Sequence, residues 1–129
     1  MTLFVDTNCF IAASTDEPAL GDIAADVLNS DHKLLTSTMN LMELRSVLTK
    51  KKRLEPDRAD EIQDEITRDV RVVIPDASDM MDANRLQRET LLYPIDSLFL
   101  ACAFGHDADP VSFDAELQNA GAHAPSTVL

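Results

Sequence analysis

The stretch Leu3-Phe4-Val5-Asp6-Thr7-Asn8 decides the fold. Three consecutive apolar residues that end at a carboxylate are typical of a short strand that is buried on both faces. Strands of this kind belong to parallel sheets, and the ligands of open parallel sheets sit outside the carboxyl ends of the strands. We therefore expect Asp6 to lie at the edge of a sheet where a ligand binds.

Outward from this strand, short apolar segments alternate with helical patterns along the whole chain. Further strands are predicted at Lys33–Thr36, Val70–Ile74 and Pro110–Phe113, the last of them closed by Asp114, and a final strand near His123 is left open. Helices are predicted over 8–13, 18–29, 38–53, from 56 onward, 78–91, 97–104 and 115–119. The alternation predicts an α/β fold with one domain over residues 1–129, a three-layer α/β/α sandwich around a mainly parallel sheet.

Several helix starts are also predicted. Ser37 or Thr38 is expected to cap the helix that runs to Arg53, and Ser78 the helix that runs to Leu91. Pro94 precedes the next helix, for which Asp96 is the expected N-cap. The segment that follows, 97–104, is almost wholly apolar, so this helix is expected to be buried on every side.

Composition excludes several classes of protein. Apolar residues make up 45% of the chain, which is enough for a folded core. No apolar run reaches the ~20 residues that span a bilayer, and no basic segment precedes the first strand, so we expect no membrane span, no signal peptide and a cytoplasmic location. Cys9 and Cys102 sit among apolar neighbours and are expected to be buried free thiols, and the three histidines show no metal-ligand spacing.

The chain is strongly acidic, with 23 acidic against 11 basic residues and a net charge of −12. One interpretation is that the protein comes from a high-salt cytoplasm. The Debye length is only about 3 Å at molar salt, so the acidic surface would repel RNA only weakly there. The other is that the acidity repels nucleic acid and argues against a nuclease. We favour the first as a hypothesis, and stability that is equal in dilute buffer and in molar KCl would contradict it.

Four carboxylates carry the functional prediction: Asp6, Glu43, Asp96 and Asp114. Asp6 and Asp114 close two strands, so neighbouring strands would bring both into one crevice. Each aspartate taken alone could equally be a turn or a cap residue. Glu43 is flanked at i−4 and i+4 by apolar residues, and a glutamate on an apolar helix face is costly unless it is paired or metal-bound.

The segments around these acids resemble the four acidic motifs of the PIN-domain ribonucleases. They are, in order, Val5-Asp6-Thr7-Asn8, Met42-Glu43-Leu44, Pro94-Ile95-Asp96-Ser97-Leu98-Phe99-Leu100-Ala101 and Ser112-Phe113-Asp114. Order and spacing match over essentially the whole chain. Within that family the sequence is most similar to the toxins of VapBC-type toxin–antitoxin pairs.

The resemblance implies a Rossmann-like α/β/α sandwich that hydrolyses RNA phosphodiester bonds with Mg²⁺ or Mn²⁺. It implies that Asp6, Glu43, Asp96 and Asp114 are the catalytic metal ligands. It also implies that Thr7, Asn8 and Ser112 have a supporting polar role around the metal. Toxins of this kind are similar in forming homodimers and in being silenced by a cognate antitoxin protein.

Elementary electrostatics supports such a site independently. Four converging carboxylates repel one another, so without cations some of them must stay protonated. Mg²⁺ relieves the repulsion and prefers oxygen ligands. Whether one metal or two would act is not fixed by the sequence.

RNA would also have to be held by basic groups. The run Lys50-Lys51-Lys52-Arg53, together with Arg45 and Arg85, is the candidate phosphate-contacting set. Alternatively, these basic residues are simply the solvated end of a helix, where the helix dipole favours positive charge. Tyr93 is a candidate for stacking on a base, although packing within the protein is the expected role.

Other functional classes fit less well. A response-regulator receiver would need a late lysine, and this chain has none after Lys52; a haloacid-dehalogenase-type phosphatase would need an aspartate where Asn8 stands. The serious alternative is a catalytically inactive PIN-like module that binds RNA or a protein.

Overall fold

Four short parallel strands form the centre of the computed structural model, which describes all of residues 1–129. They are β1 (Thr2–Val5), β2 (Lys33–Ser37), β3 (Arg71–Val73) and β4 (Asp109–Val111). The helices are α1 (Thr7–Ser14), α2 (Leu20–Leu28), α3 (Thr38–Ser46), α4 (Pro56–Asp69), α5 (Ala77–Glu89), α6 (Pro94–Gly105) and α7 (Ala115–Asn119). A π-helical turn at Val47–Lys51 extends α3, and a 3₁₀ turn at Pro125–Val128 lies near the C-terminus.

The strand order is β3-β2-β1-β4, and every pair is parallel. From β1 the chain therefore proceeds to one side through β2 and β3, and it returns to the other side of β1 only with β4. The point where the order reverses is where open α/β sheets leave a crevice for ligands. Asp6 follows β1 directly, and Ser112 follows β4, so both lie beside this crevice.

Alternation along β1 gives the sheet two buried faces. Leu3 and Val5 belong to one apolar cluster, which includes Phe10, Leu44 and Ile62 from α1, α3 and α4. Phe4 points the other way and packs with Phe99 and Leu100 of α6 and with Leu117 of α7. The predicted three-layer α/β/α architecture with a parallel sheet is therefore confirmed.

Two predicted helix caps are wrong. Helix α5 is capped by Asp76 rather than Ser78, because Asp76 and Asp79 form a reciprocal capping box two residues earlier. Helix α6 begins after Tyr93 with Pro94 in its first turn, so Asp96 is an acidic residue of the first turn instead of the N-cap. Proline is pre-organised for that position, and its missing N–H needs no partner there.

Other differences are smaller. The predicted helix to Arg53 changes to π-helical geometry at Val47, and the strand near His123 is reduced to one isolated bridge to Val111. Seven consecutive residues of α6, 97–103, are buried as predicted, whereas Phe104 is exposed. Cys9 and Cys102 are buried free thiols, as predicted. None of the helices is long and apolar enough to cross a lipid bilayer.

Candidate active site

Asp6 is the most tightly held acid of the predicted site. It is the N-cap of α1, and its Oδ1 accepts a hydrogen bond from the Thr7 backbone N–H at 2.8 Å. Its Oδ2 accepts a hydrogen bond from the Ser112 hydroxyl at 2.7 Å. Only 8% of Asp6 is exposed, so β1, α1 and the end of β4 fix both carboxylate oxygens in place.

Ser112 connects Asp6 to the segment that carries Asp114. The fully buried Ser112 hydroxyl accepts hydrogen bonds from Asn8 Nδ2 and from the Asp114 backbone N–H, both at 3.0 Å. Asn8 Oδ1 in turn accepts the Phe113 N–H at 3.2 Å. One hydroxyl thus joins the ends of β1 and β4, and Asn8 and Ser112 lie beside the acids as the resemblance implies.

Asn40 is a member of this network that the sequence analysis missed. Its side-chain amide donates to Thr7 Oγ1 at 3.0 Å and to Asp6 Oδ1 at 3.4 Å. Its Oδ1 accepts the Ser37 hydroxyl at 2.6 Å, as part of the capping box that begins α3. A capping residue therefore also supports Asp6, and the signal was present as the S-x-x-N pattern at the start of the predicted helix.

Asp96 and Asp114 are close enough for their negative charges to interact. Asp114 caps α7 through its Oδ1, which accepts the Glu116 N–H at 2.8 Å. Burial, and then the negative charges of Asp114, Glu43 and Glu116, raise the pKa of Asp96 above its usual range. Asp96 makes no salt bridge and accepts no side-chain hydrogen bond, so no counter-ion or side-chain donor offsets this repulsion.

Glu43 differs from its predicted surroundings. It was expected on an apolar helix face, but it is exposed, as is its neighbour Met42. Its neighbours one turn away, Met39 and Val47, are only half-buried, so this face of α3 is not packed into the core and burial does not single out Glu43. It is nevertheless close enough to act on both Asp6 and Asp96 through its charge.

The mutual repulsion is clearest at Asp6. Its pKa is raised from 3.8 to about 6, mainly by burial and to a smaller extent by the charges of Glu43 and Asp96. The hydrogen bonds from Ser112 and Thr7 act in the opposite direction and favour the carboxylate. The four predicted acids therefore interact through their charges. The charge of Glu43 raises the pKa of both Asp6 and Asp96, and the charge of Asp114 raises the pKa of Asp96.

The sequence of this chain matches the sequence profile of the PIN domain over residues 3–122. This chain belongs to the PIN domain family. None of the curated proteins matches it significantly.

Solved structures share the fold of this PIN domain at low sequence identity. A toxin–antitoxin complex from Klebsiella pneumoniae is similar with a TM-score of 0.78 and 19% identity, covering 97% of this chain and 98% of that one. VapC20 of Mycobacterium tuberculosis, a toxin that cleaves the sarcin-ricin loop, is similar with a TM-score of 0.78 and 21% identity over 94% and 96% of the two chains. VapBC2 of Rickettsia felis, bound to a DNA fragment from its promoter, is similar with a TM-score of 0.74 and 18% identity over 92% of each chain.

The donor set of this PIN domain fits a hard divalent cation. All four acids offer oxygen ligands, none of them is paired with a lysine or arginine, and Asp6 is buried among like charges. The structure contains no group of three or more acidic, histidine or cysteine side chains already arranged around one metal position. The four acids therefore supply oxygen donors of the right chemistry in one part of the molecule, and their side chains would have to move to coordinate one ion together.

The predicted RNA-contacting residues of the PIN domain fall into two groups. Arg45 is paired with Asp60, Lys52 with Glu17 at 3.4 Å, and Arg85 with Asp82 at 2.5 Å. Lys50, Lys51 and Arg53 are exposed and form no salt bridge. Tyr93, for which packing was expected, is 74% exposed and lies three residues before Asp96, at the start of α6.

Proposed function

We propose that this PIN domain is a Mg²⁺-dependent endoribonuclease that hydrolyses RNA phosphodiester bonds, with Mn²⁺ as a possible substitute, and that it is the toxin of a type II toxin–antitoxin pair. The observation that carries the proposal is a neighbourhood of four carboxylates, Asp6, Glu43, Asp96 and Asp114, that no basic side chain neutralises. Such a neighbourhood is stabilised by a cation and is costly without one.

Asp6, Glu43, Asp96 and Asp114 would hold the metal, directly or through water. A bound divalent ion lowers the pKa of a water molecule and neutralises charge that builds up on the phosphate. The chain's own contribution is to fix the Asp6 oxygens with Thr7, Asn40 and Ser112, and to leave Glu43 and Asp96 accessible to solvent. Phosphates of the RNA would be held by Lys50, Lys51 and Arg53.

Histidine is not required as a general base in this proposal. His32 and His106 each bond a backbone carbonyl, of Val128 and Cys102 respectively, at 2.8 Å. His123 lies 3.7 Å from the Asp109 carboxylate. All three are engaged with groups outside the four acids, so water activation falls to the carboxylates and the ion they hold.

The test is a cleavage assay with the purified chain. Wild type is incubated with structured RNA in Mg²⁺ and in EDTA, beside Asp6→Asn and Asp96→Asn. We expect Mg²⁺-dependent cleavage that either substitution lowers by about a hundredfold or more. Cleavage that survives in EDTA would contradict the metal mechanism. RNA binding without cleavage would instead identify the chain as an inactive PIN-like binding module.

The partners are proposals of the same kind. The similar structures include toxin–antitoxin complexes, which supports a cognate antitoxin for this chain, and a homodimer is proposed with it. A ribonuclease acting on cellular RNA would work in the cytoplasm. A short adjacent reading frame encoding a DNA-binding protein that co-purifies with this chain and blocks cleavage would support the toxin role. A monomer in sedimentation would contradict the dimer.

A further inference from the structure

A cavity of about 350 Å³ lies next to the acidic site, between α7 and the segment that joins α5 to α6. Its lining residues are Thr90, Leu91, Leu92, Glu116, Asn119 and Ala120. Glu116 belongs to both places, because its charge also acts on Asp96. A molecule in this cavity would therefore sit beside whatever the acids bind.

Two of the lining residues offer hydrogen-bonding groups without a protein partner. The Glu116 carboxylate and the Asn119 amide are exposed, and neither forms a side-chain hydrogen bond or a salt bridge. They are three residues apart on α7, so their side chains share one face of the helix. Thr90, in contrast, already donates to the Leu86 carbonyl at 2.6 Å.

The apolar wall of the cavity is strained and unusually exposed. Leu91 has a left-handed φ of 57° and is 99% exposed, next to Leu92, which is buried. A leucine in this region of φ costs of order 1 kcal/mol, and strain of this kind is often retained where a ligand is recognised. Here the unfavourable backbone holds an apolar side chain at the mouth of the cavity.

We propose that this cavity binds an unstacked guanine base of the RNA substrate, with Glu116 and Asn119 as the residues that determine base specificity. Single-stranded RNA is recognised by splaying out bases and bonding their Watson–Crick edges. The guanine edge presents two adjacent donors, N1–H and the 2-amino group, and next to them the O6 acceptor. Glu116 accepts from the two donors, Asn119 donates to O6, and the ring lies against Leu91.

The other bases match this pair of side chains less well. Uracil and the Watson–Crick edges of adenine and cytosine each present only one donor position, so a carboxylate could not accept twice. A bidentate, charge-assisted contact is among the strongest hydrogen-bonding arrangements available to a protein. The inference rests on the proposed ribonuclease function, because it assigns the cavity to the same RNA.

Binding can be measured without any cleavage. The full chain in EDTA is titrated with GMP, IMP, AMP, CMP and UMP and followed by NMR. We expect GMP to bind about tenfold tighter than IMP, which lacks the 2-amino group, and to shift the resonances of α7. Glu116→Gln should remove the preference for GMP over IMP, whereas Glu55→Gln, an exposed control, should keep it. Equal binding of all five nucleotides would overturn the proposal.

Two further variants separate recognition of the base from changes in the charge of the site and from changes in folding. Asn119→Ala leaves the charge of the acidic site unchanged and should weaken GMP binding about threefold or more. Leu91→Gly suits the left-handed backbone, so it should fold well and still weaken GMP binding. With a random RNA pool in Mg²⁺, cleavage clustered beside guanine is expected from wild type. Cleavage without base preference would reject this inference and leave the nuclease proposal standing. GMP binding without cleavage would reject the nuclease proposal and leave a guanine site in a module that binds RNA without cutting it.

Discussion

The two halves of the acidic site are built differently. Asp6 is buried, caps a helix, and receives hydrogen bonds from Thr7, Asn40 and Ser112, which come from three separate parts of the chain. Glu43 and Asp96, in contrast, have no hydrogen-bond donor and no counter-ion. The contrast shows that the fold fixes one of these acids by itself, and under the proposed function a bound cation would order the two open ones.

The largest expected effect is on the open half. Glu43→Gln disturbs no contact in the protein and removes a charge that repels Asp6 and Asp96, so the free energy of unfolding should not fall, while RNA cleavage in Mg²⁺ falls by about a hundredfold. Cleavage rate and urea unfolding are measured on the same preparations. Glu89→Gln, an exposed glutamate on α5, is the control and should leave both unchanged. Full activity of Glu43→Gln would break the comparison, because the open half would then be dispensable.

On the buried half, we expect Asp6→Asn to raise the stability of the protein in a pH-dependent way. Because the pKa of Asp6 is raised from 3.8 to about 6 in the folded state, its stabilising contribution is complete only at a pH well below 3.8, where it is protonated in both states. The contribution is lost as the pH rises through about 6, and the loss amounts to about 3 kcal/mol. Asp6→Asn, which cannot ionise, should therefore unfold at higher urea than wild type at pH 8 without metal, and with little difference at pH 4.

The control for this prediction is Asp31→Asn, an exposed aspartate without a partner, which should show no such pH dependence. Adding Mg²⁺ at pH 8 should narrow the gap between wild type and Asp6→Asn. An Asp6→Asn protein that is less stable than wild type at pH 8 would contradict a buried, repelled carboxylate.

A smaller effect is expected where the two strands are joined. Ser112→Ala leaves Asn8 Nδ2 and the Asp114 N–H without their acceptor and removes one donor to Asp6. The loss of buried hydrogen bonds should lower the free energy of unfolding by about 1–3 kcal/mol in urea melts. Ser126→Ala, which is exposed, is the control. An unchanged midpoint for Ser112→Ala would mean that the anchored half does not depend on this hydroxyl.

The smallest effect concerns RNA binding at the basic turn. Lys51 is unpaired whereas Lys52 is paired with Glu17, so the two neighbouring lysines form a matched test. In an Asp96→Asn background, Lys51→Gln should weaken RNA binding a few-fold and lower the salt slope by about 0.7, the value for one phosphate on single strands. Lys52→Gln should change both less. Equal effects from both lysines would show that the ion pair does not matter.

The fold was largely predictable because β1, β2 and α6 are apolar runs bounded by capping or turn residues. The cap of α5 was not predictable, because the segment 76–79 contains several residues that can cap a helix. Only the reciprocal hydrogen bonds of the capping box with Asp79 select Asp76. The role of Asn40 depends on a contact with Asp6, 34 positions away, that a local pattern cannot encode. The exposure of Glu43 was not predictable either, because the apolar residues one turn away on either side are themselves only half-buried.

Direct binding of Mn²⁺ at pH 7, measured by titration calorimetry without RNA, tests the claim that the four acids form a single cation site. The account predicts that wild type binds Mn²⁺ and that Asp6→Asn, Glu43→Gln, Asp96→Asn and Asp114→Asn each weaken the affinity about tenfold or more. If wild type takes up no ion, or if removing Glu43 or Asp96 leaves the affinity unchanged, these carboxylates do not share a metal and the account is wrong.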